Sequence, residues 1–107
     1  MKESDIQRLI LDWLAANRIW HIRLNAGAMF GSYKGKKWAV RFGRPGQADI
    51  LVIKHHGSTC HRVIWIEVKN EKGKQSAAQE AFEREVNQQG HYYILARSLE
   101  DVTALLG

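Results

Sequence analysis

The sequence predicts an α/β domain whose central mixed β-sheet is flanked by helices, in the order α-β-β-β-β-α-β-α. Two segments carry apolar residues at helical spacing behind a serine with a glutamine three residues on; between and after them lie β-branched, aromatic stretches bounded by glycine-containing turns. At 107 residues with 45% hydrophobic content, residues 1–107 match the size of one domain that closes a single core.

In the first helix, expected over about residues 4–17, Ser4 and Gln7 have capping-box spacing, and Ile6, Leu9, Ile10, Trp13 and Leu14 form the apolar stripe. "WHIRL" (20–24) and "KWAVRF" (37–42) alternate as strands, with "NAGAMFGSYKG" between them expected as a long hairpin loop. "ADILVI" (48–53) is nearly continuous in its apolar character, which predicts burial on both faces. The loop "KHHGSTCH" returns the chain into the strand "RVIWIEVK" (62–69). After the turn "NEKGK", Ser76 and Gln79 repeat the capping-box spacing ahead of Ala78, Ala81, Phe82 and Val86, and Gly90 ends this second helix. "HYYILA" (91–96) is a further strand, and Ser98 with Asp101 starts a short last helix.

The net charge is +5, but its distribution says more than its size. No acidic residue lies between Asp12 and Asp49, whereas that span holds Arg18, Arg23, Lys34, Lys36, Lys37, Arg41 and Arg44. Such a field attracts polyanions, nucleic-acid backbone foremost. The glycine-containing "GSYKGKKWAVRFGRPG" is where DNA contact is expected, through Lys34, Lys36, Lys37, Arg41 and Arg44. Of the aromatic residues in the span, most are expected in core or hairpin packing, with stacking on bases as the other reading. Cys60 is the single cysteine, so no intramolecular disulfide forms. Charges interleave with the apolar residues near the start and no run is long enough to span a bilayer, so a soluble, cytoplasmic protein without a membrane partner is expected.

The chemistry concentrates in "VIWIEVKNEKGK" (63–74). Side chains two apart on a strand share a face, so Glu67 and Lys69 point the same way, with Val63 and Trp65 behind them and Ile64, Ile66 and Val68 opposite. An unpaired buried carboxylate is costly, so Glu67 must reach solvent, pair with a cation or bind a metal. Pairing with "ADILVI" brings Asp49 beside it. Two carboxylates at a sheet edge next to a lysine suit a hard divalent ion, Mg²⁺ or Mn²⁺, held by Asp49, Glu67 and the backbone carbonyl of Val68. Lys69 would orient the attacking water or offset transition-state charge. The competing structural readings are a surface ion pair for Glu67 and Lys69 and a turn cap for Asp49.

Taken together, "GQADILV", "VIWIEVKNEKGKQSAAQEAF" and "GHYYILARSLEDVTALL" resemble the VRR-NUC nucleases of the PD-(D/E)XK superfamily, as do "IQRLILDWL" and "RLNAGA" nearer the start. The resemblance implies a restriction-endonuclease-like core and a metal-dependent DNA endonuclease acting on branched or Holliday-junction-like DNA, as a homodimer, in a bacterial or phage-infected cell. It implies Asp49, Glu67, Lys69 and Gln79 as catalytic residues, with Glu3 on the first helix as a candidate further metal ligand. Ala48 departs from the family's usual proline, a change of backbone direction and not of chemistry. Gln79 also reads as the reciprocal partner of the Ser76 cap. A nuclease-like fold kept only for binding nucleic acid, or a small basic adaptor, are the competing functional classes. A zinc site at His55, His56, Cys60 and His61 is disfavoured, because adjacent histidines diverge in an extended chain.

Overall fold

The computed structural model describes residues 1–24, 28–41, 43–56 and 60–107, with backbone alone at 28–30, 40, 41, 56, 60 and 61. Its elements are α1 (Glu3–Ala16), β1 (His21–Arg23), β2 (Ala28–Tyr33), β3 (Lys36–Arg41), β4 (Ile50–His56), β5 (Cys60–Val68), α2 (Ala77–Gln88), β6 (Tyr92–Ala96) and α3 (Leu99–Leu106). Four strands make a mixed sheet in the order β1-β4-β5-β6, antiparallel except for the parallel β5–β6 pair. β2 and β3 form a separate antiparallel pair.

Period-two alternation sorts the sheet residues onto two faces. Ile50, Val52, Ile64, Ile66, Val68, Ile94 and Ala96 turn one way and close the main core against Ile6, Ile10 and Leu14 of α1 and Val102 and Leu106 of α3. On the other face α2 lays Phe82 and Val86 over Ala48, Trp65 and Tyr93, with the Trp65 and Phe82 rings edge-on at 5.0 Å. The helices therefore flank the sheet on both sides, as the order of elements predicts. β4 is fully buried only on the α1 face, at Ile50 and Val52, while Leu51 and Ile53 are half-buried.

Four local expectations are corrected. "AMFGSY", expected within a loop, is the strand β2: it pairs with β3 from Ala28–Arg41 to Tyr33–Lys36. "WHIRL" and "KWAVRF" do not pair, since β1 joins β4 instead. Lys34 (φ 49°) and Gly35 (φ 79°) are both left-handed, as a two-residue type I′ turn requires. Helix α1 starts one residue early, with Lys2 as its N-cap and no side-chain cap, so Ser4 lies inside the first turn and its capping box does not form. The loop "KHHGSTCH" is narrower than expected, because the ladder continues to His55–His61 and His56–Cys60.

The cap of α2 forms as expected: Ser76 Oγ accepts from Gln79 N at 3.1 Å, and Gln79 Oε1 accepts from Ser76 N at 2.9 Å. Its C-terminus closes in a Schellman motif, with Gly90 at φ 78° and His91 N donating to the Val86 carbonyl at 3.2 Å. At α3, Ser98 holds the N-cap position without a side-chain bond; Asp101 Oδ2 reaches back to Arg97 N at 2.8 Å.

Candidate functional site

The register of β4 and β5 sets Ile50 opposite Ile66, and one step further it sets Asp49 opposite Glu67 on the face turned toward α2. Two main-chain bonds fix Asp49: its N donates to the Ile66 carbonyl at 3.0 Å, and its carbonyl accepts from Leu24 N at 2.7 Å. Its side chain is held too, as Oδ2 accepts from Val68 N at 2.8 Å. In an extended strand a residue's N–H and C=O lie on the same edge, so the Val68 carbonyl also belongs to the Asp49 side of β5.

Glu67 is the one buried charged residue among those described, 3% exposed, and its Oε1 is buried without a hydrogen-bond partner. Burial foremost, then the hydrogen bond to Asp49 and that residue's charge, push the Glu67 carboxyl up to about 9; the Lys69 ammonium opposes the rise and Glu3 adds to it. At neutral pH this carboxyl holds a proton in the absence of a cation.

Lys69 N donates to the Ala96 carbonyl at 3.0 Å, which anchors it at the end of the parallel pair. The turn that follows is tightly specified. Asn70 Oδ1 accepts from Lys72 N and Gly73 N, and Arg97 Nη1 donates to the carbonyls of both Asn70 and Gly73 at 2.7 Å. A Cβ at Gly73 would stand 3.0 Å from Glu3 Oε1 and 3.2 Å from Lys69 Cδ, so the start of α1 and the lysine stem converge on this turn.

On the α2 side, Gly46 (φ 79°) packs so closely on the first turn of the helix that a Cβ there would lie 2.2 Å from the Ala78 carbonyl oxygen. The turn leading to Asp49 is thereby seated beside the cap holding Gln79. The Gln79 side-chain oxygen is committed to Ser76 N, which is the capping role and leaves the catalytic role without a contact here.

Three residues of this neighbourhood, Gln75, Tyr93 and Arg97, were not singled out from sequence. Gln75 Nε2 donates to Glu83 Oε1 at 3.1 Å and to Tyr93 Oη at 3.2 Å. Burial, with the charges of Glu67, Glu83 and Asp49, raises Tyr93 above the ordinary phenol range. The signal for Tyr93 was the alternation of "HYYILA", which sets it on the Trp65 face; Arg97 and Gln75 act through long-range bonds that carry no local signal.

Of the expected DNA-contacting residues, Lys34, Lys36 and Lys37 are exposed on the β2–β3 hairpin. Arg44 is engaged instead in an ion pair with Glu85 at 2.5 Å and stands 5.3 Å from the Phe82 ring centroid. The Arg41, His56, Cys60 and His61 side chains lie outside those described.

Asp49 and Glu67 fit a hard, hydrated cation. Among the described residues no group of three or more His, Cys, Asp or Glu side chains is set to hold a metal. A Mg²⁺-type ion needs only one or two carboxylates beside its waters, and the orphaned Glu67 oxygen is a ready ligand. No helix among the described residues is long and apolar enough to cross a membrane. No protein family, curated protein or solved structure matches the chain.

Proposed function

We propose that the protein is a divalent-metal-dependent DNA endonuclease that hydrolyses phosphodiester bonds in branched or Holliday-junction-like DNA. The observation that carries this reading is the buried Glu67 carboxyl, with an unpartnered oxygen, set against Asp49 and two residues from Lys69. A buried carboxyl with an unpartnered oxygen is costly to the fold unless a partner such as a cation uses it.

Asp49, Glu67 and the Val68 carbonyl would hold Mg²⁺ or Mn²⁺, with Glu3 the nearest further carboxylate from α1. When bound, the ion supplies Lewis-acid polarisation of the phosphoryl oxygen and a water of lowered pKa. Lys69 orients the attacking water and offsets negative charge at the reacting phosphate. Val68 N keeps Asp49 in place through Oδ2. Gln79 serves this site first by capping α2, on which the Asp49 turn rests. The exposed lysines of the hairpin bind phosphates flanking the cut.

A second copy of the chain is the partner that would deliver two cuts to a junction. Trp20 and Ile22, 54% and 43% exposed, continue the α2-facing side of the sheet beyond the reach of α2 and supply an apolar patch for it. The test is incubation of the purified protein with labelled duplex, single-stranded and four-way-junction DNA, with Mg²⁺, Mn²⁺ or EDTA. Cleavage of the junction with metal and none with EDTA is expected; no metal-dependent cleavage of any substrate rejects the reading.

A further inference from the structure

The β2–β3 hairpin carries a surface that the metal site does not use. Residues directly opposite on paired strands share a face, so the register places Gly31 and Tyr33 of β2 with Trp38 and Lys36 of β3 on one face. The Trp38 indole lies across the Gly31 backbone, where a Cβ would sit 2.2 Å from its Cζ2. One side of the ring is thus covered by its own hairpin while the residue remains 44% exposed. Tyr33 is 70% exposed, and the Lys34 ammonium stands 5.5 Å from its ring centroid.

These aromatics have no sheet to pack against, because neither β2 nor β3 joins the four-stranded sheet. Their charged surroundings are uniformly basic: Lys34 at the turn, Lys36 opposite Tyr33 and Lys37 opposite Ser32, with no acid between Asp12 and Asp49. The tip residue adds a further indication. Lys34 occupies a left-handed backbone position in which asparagine or glycine is unstrained, so a cation is kept there at a conformational cost. A flat π-surface edged by lysines matches an unpaired nucleotide, whose base stacks and whose phosphates pair with ammonium groups. A paired duplex buries its base faces and so leaves no face for the rings to stack on.

We propose that the Tyr33–Trp38 face of the hairpin is a stacking platform for unpaired nucleotides, with Lys34 and Lys36 holding the adjoining phosphates. The proposal deepens the nuclease reading and takes from it that DNA is the partner. Its position follows from the chain: Leu24, four residues before the described start of β2, donates to the Asp49 carbonyl, and residues 43–48 lead from the β3 side into Asp49. Both ends of the hairpin thus lead to the head of β4, with the platform toward its tip, so a single strand lying along the hairpin would lead toward the carboxylate pair and make the single-stranded side of a branch point the recognised feature.

The experiment measures binding in EDTA, so it needs no cleavage and stays separate from the test of the nuclease reading. Fluorescein-labelled oligo-dT and a duplex of equal length are titrated with the wild type and with Trp38→Leu and Trp38→Phe; leucine keeps an apolar cover over Gly31 without an aromatic face. Trp38→Leu should weaken oligo-dT binding about tenfold and leave duplex binding within about twofold, and Trp38→Phe should restore most of the loss. In the wild type the indole N–H resonance of Trp38, identified by its absence in Trp38→Phe, should shift saturably with oligo-dT. Equal loss for both ligands, or an indole resonance that oligo-dT leaves unmoved, overturns the proposal. If that resonance moves with protein concentration and not with oligonucleotide, the face is a contact between copies and the proposal fails. Hairpin stacking without metal-dependent cleavage would reject the nuclease reading alone.

Discussion

Val68 N donates to Asp49 Oδ2 at 2.8 Å, so the acid at the head of β4 is held by the residue that separates Glu67 from Lys69. One hydrogen bond thereby joins all the expected catalytic residues of the two strands. Asp49→Asn retains a side-chain oxygen for Val68 N and should fold normally while losing metal-dependent cleavage. Asp49→Ala leaves a buried N–H without its acceptor and should cost about 1–3 kcal/mol in addition. Thermal unfolding and junction cleavage, measured on both variants, separate the two effects. Equal stability of the two would show that the Val68 bond contributes nothing.

Glu67 makes stability depend on pH in a defined direction. The unfolded chain ionises this carboxyl above 4.5 and the folded chain only near 9, so between these values the folded state holds a proton that the unfolded state has lost. Stability due to this group is therefore present below the lower value and declines as pH rises toward the upper one. In EDTA the melting temperature should fall between about pH 5 and about pH 9, and Glu67→Gln should flatten that slope. Mn²⁺ should restore the wild type most at the alkaline end, where the ionised carboxylate is wanted, and should do little for Glu67→Gln. A wild-type slope identical to that of Glu67→Gln would show that Glu67 ionises freely.

Gly46 links the site to α2 by contact alone. Any Cβ there meets the Ala78 carbonyl, and the left-handed backbone is strained for other residues. Gly46→Ala should cost about 1–3 kcal/mol in denaturant unfolding. It should also lower cleavage more than Gly43→Ala, whose Cβ would meet only the flexible Gln47 side chain. Matching effects of the two substitutions would mean that the α2 seat does not position Asp49.

The apolar patch has its own test. Ile22→Lys places a charge on an exposed position of β1 whose cross-strand partner is Leu51, so it should leave folding intact while halving the solution mass measured by light scattering. A wild type that is already monomeric, alone and with junction DNA, removes the homodimer.

Most of the four-stranded sheet and the meeting of Asp49 with Glu67 were legible in sequence, because both follow from period-two patterning across one short hairpin. β2 was not: its glycine-containing stretch read as loop, and the strand is set by its pairing with β3, where Trp38 lies across Gly31. Ser4 misled for a comparable reason. The Lys2 carbonyl already accepts from Asp5 N and Ile6 N, so the first turn closes without a serine cap. Arg97 and Gln75 escaped notice since their partners are distant in sequence, at Asn70 and Gly73 and at Glu83 and Tyr93.

Lys69 is the position at which support and chemistry can be separated most cleanly. Its backbone N–H is fixed by Ala96, and its stem runs beside the Gly73 turn that Arg97 clamps. Lys69→Met keeps the stem and removes the charge. If Lys69 orients water and offsets charge at the phosphate, this variant should retain junction binding in EDTA, unfold near the wild type, and cleave about 10²- to 10³-fold more slowly. Removing the ammonium also removes the one charge that lowers Glu67, so the fall in stability should begin at the same pH and extend to still higher pH. Lys69→Arg retains the charge but not the compact ammonium and should recover the Glu67 behaviour without recovering full cleavage. Wild-type cleavage by Lys69→Met would remove the lysine from the chemistry and leave it as a partner for the carboxylates.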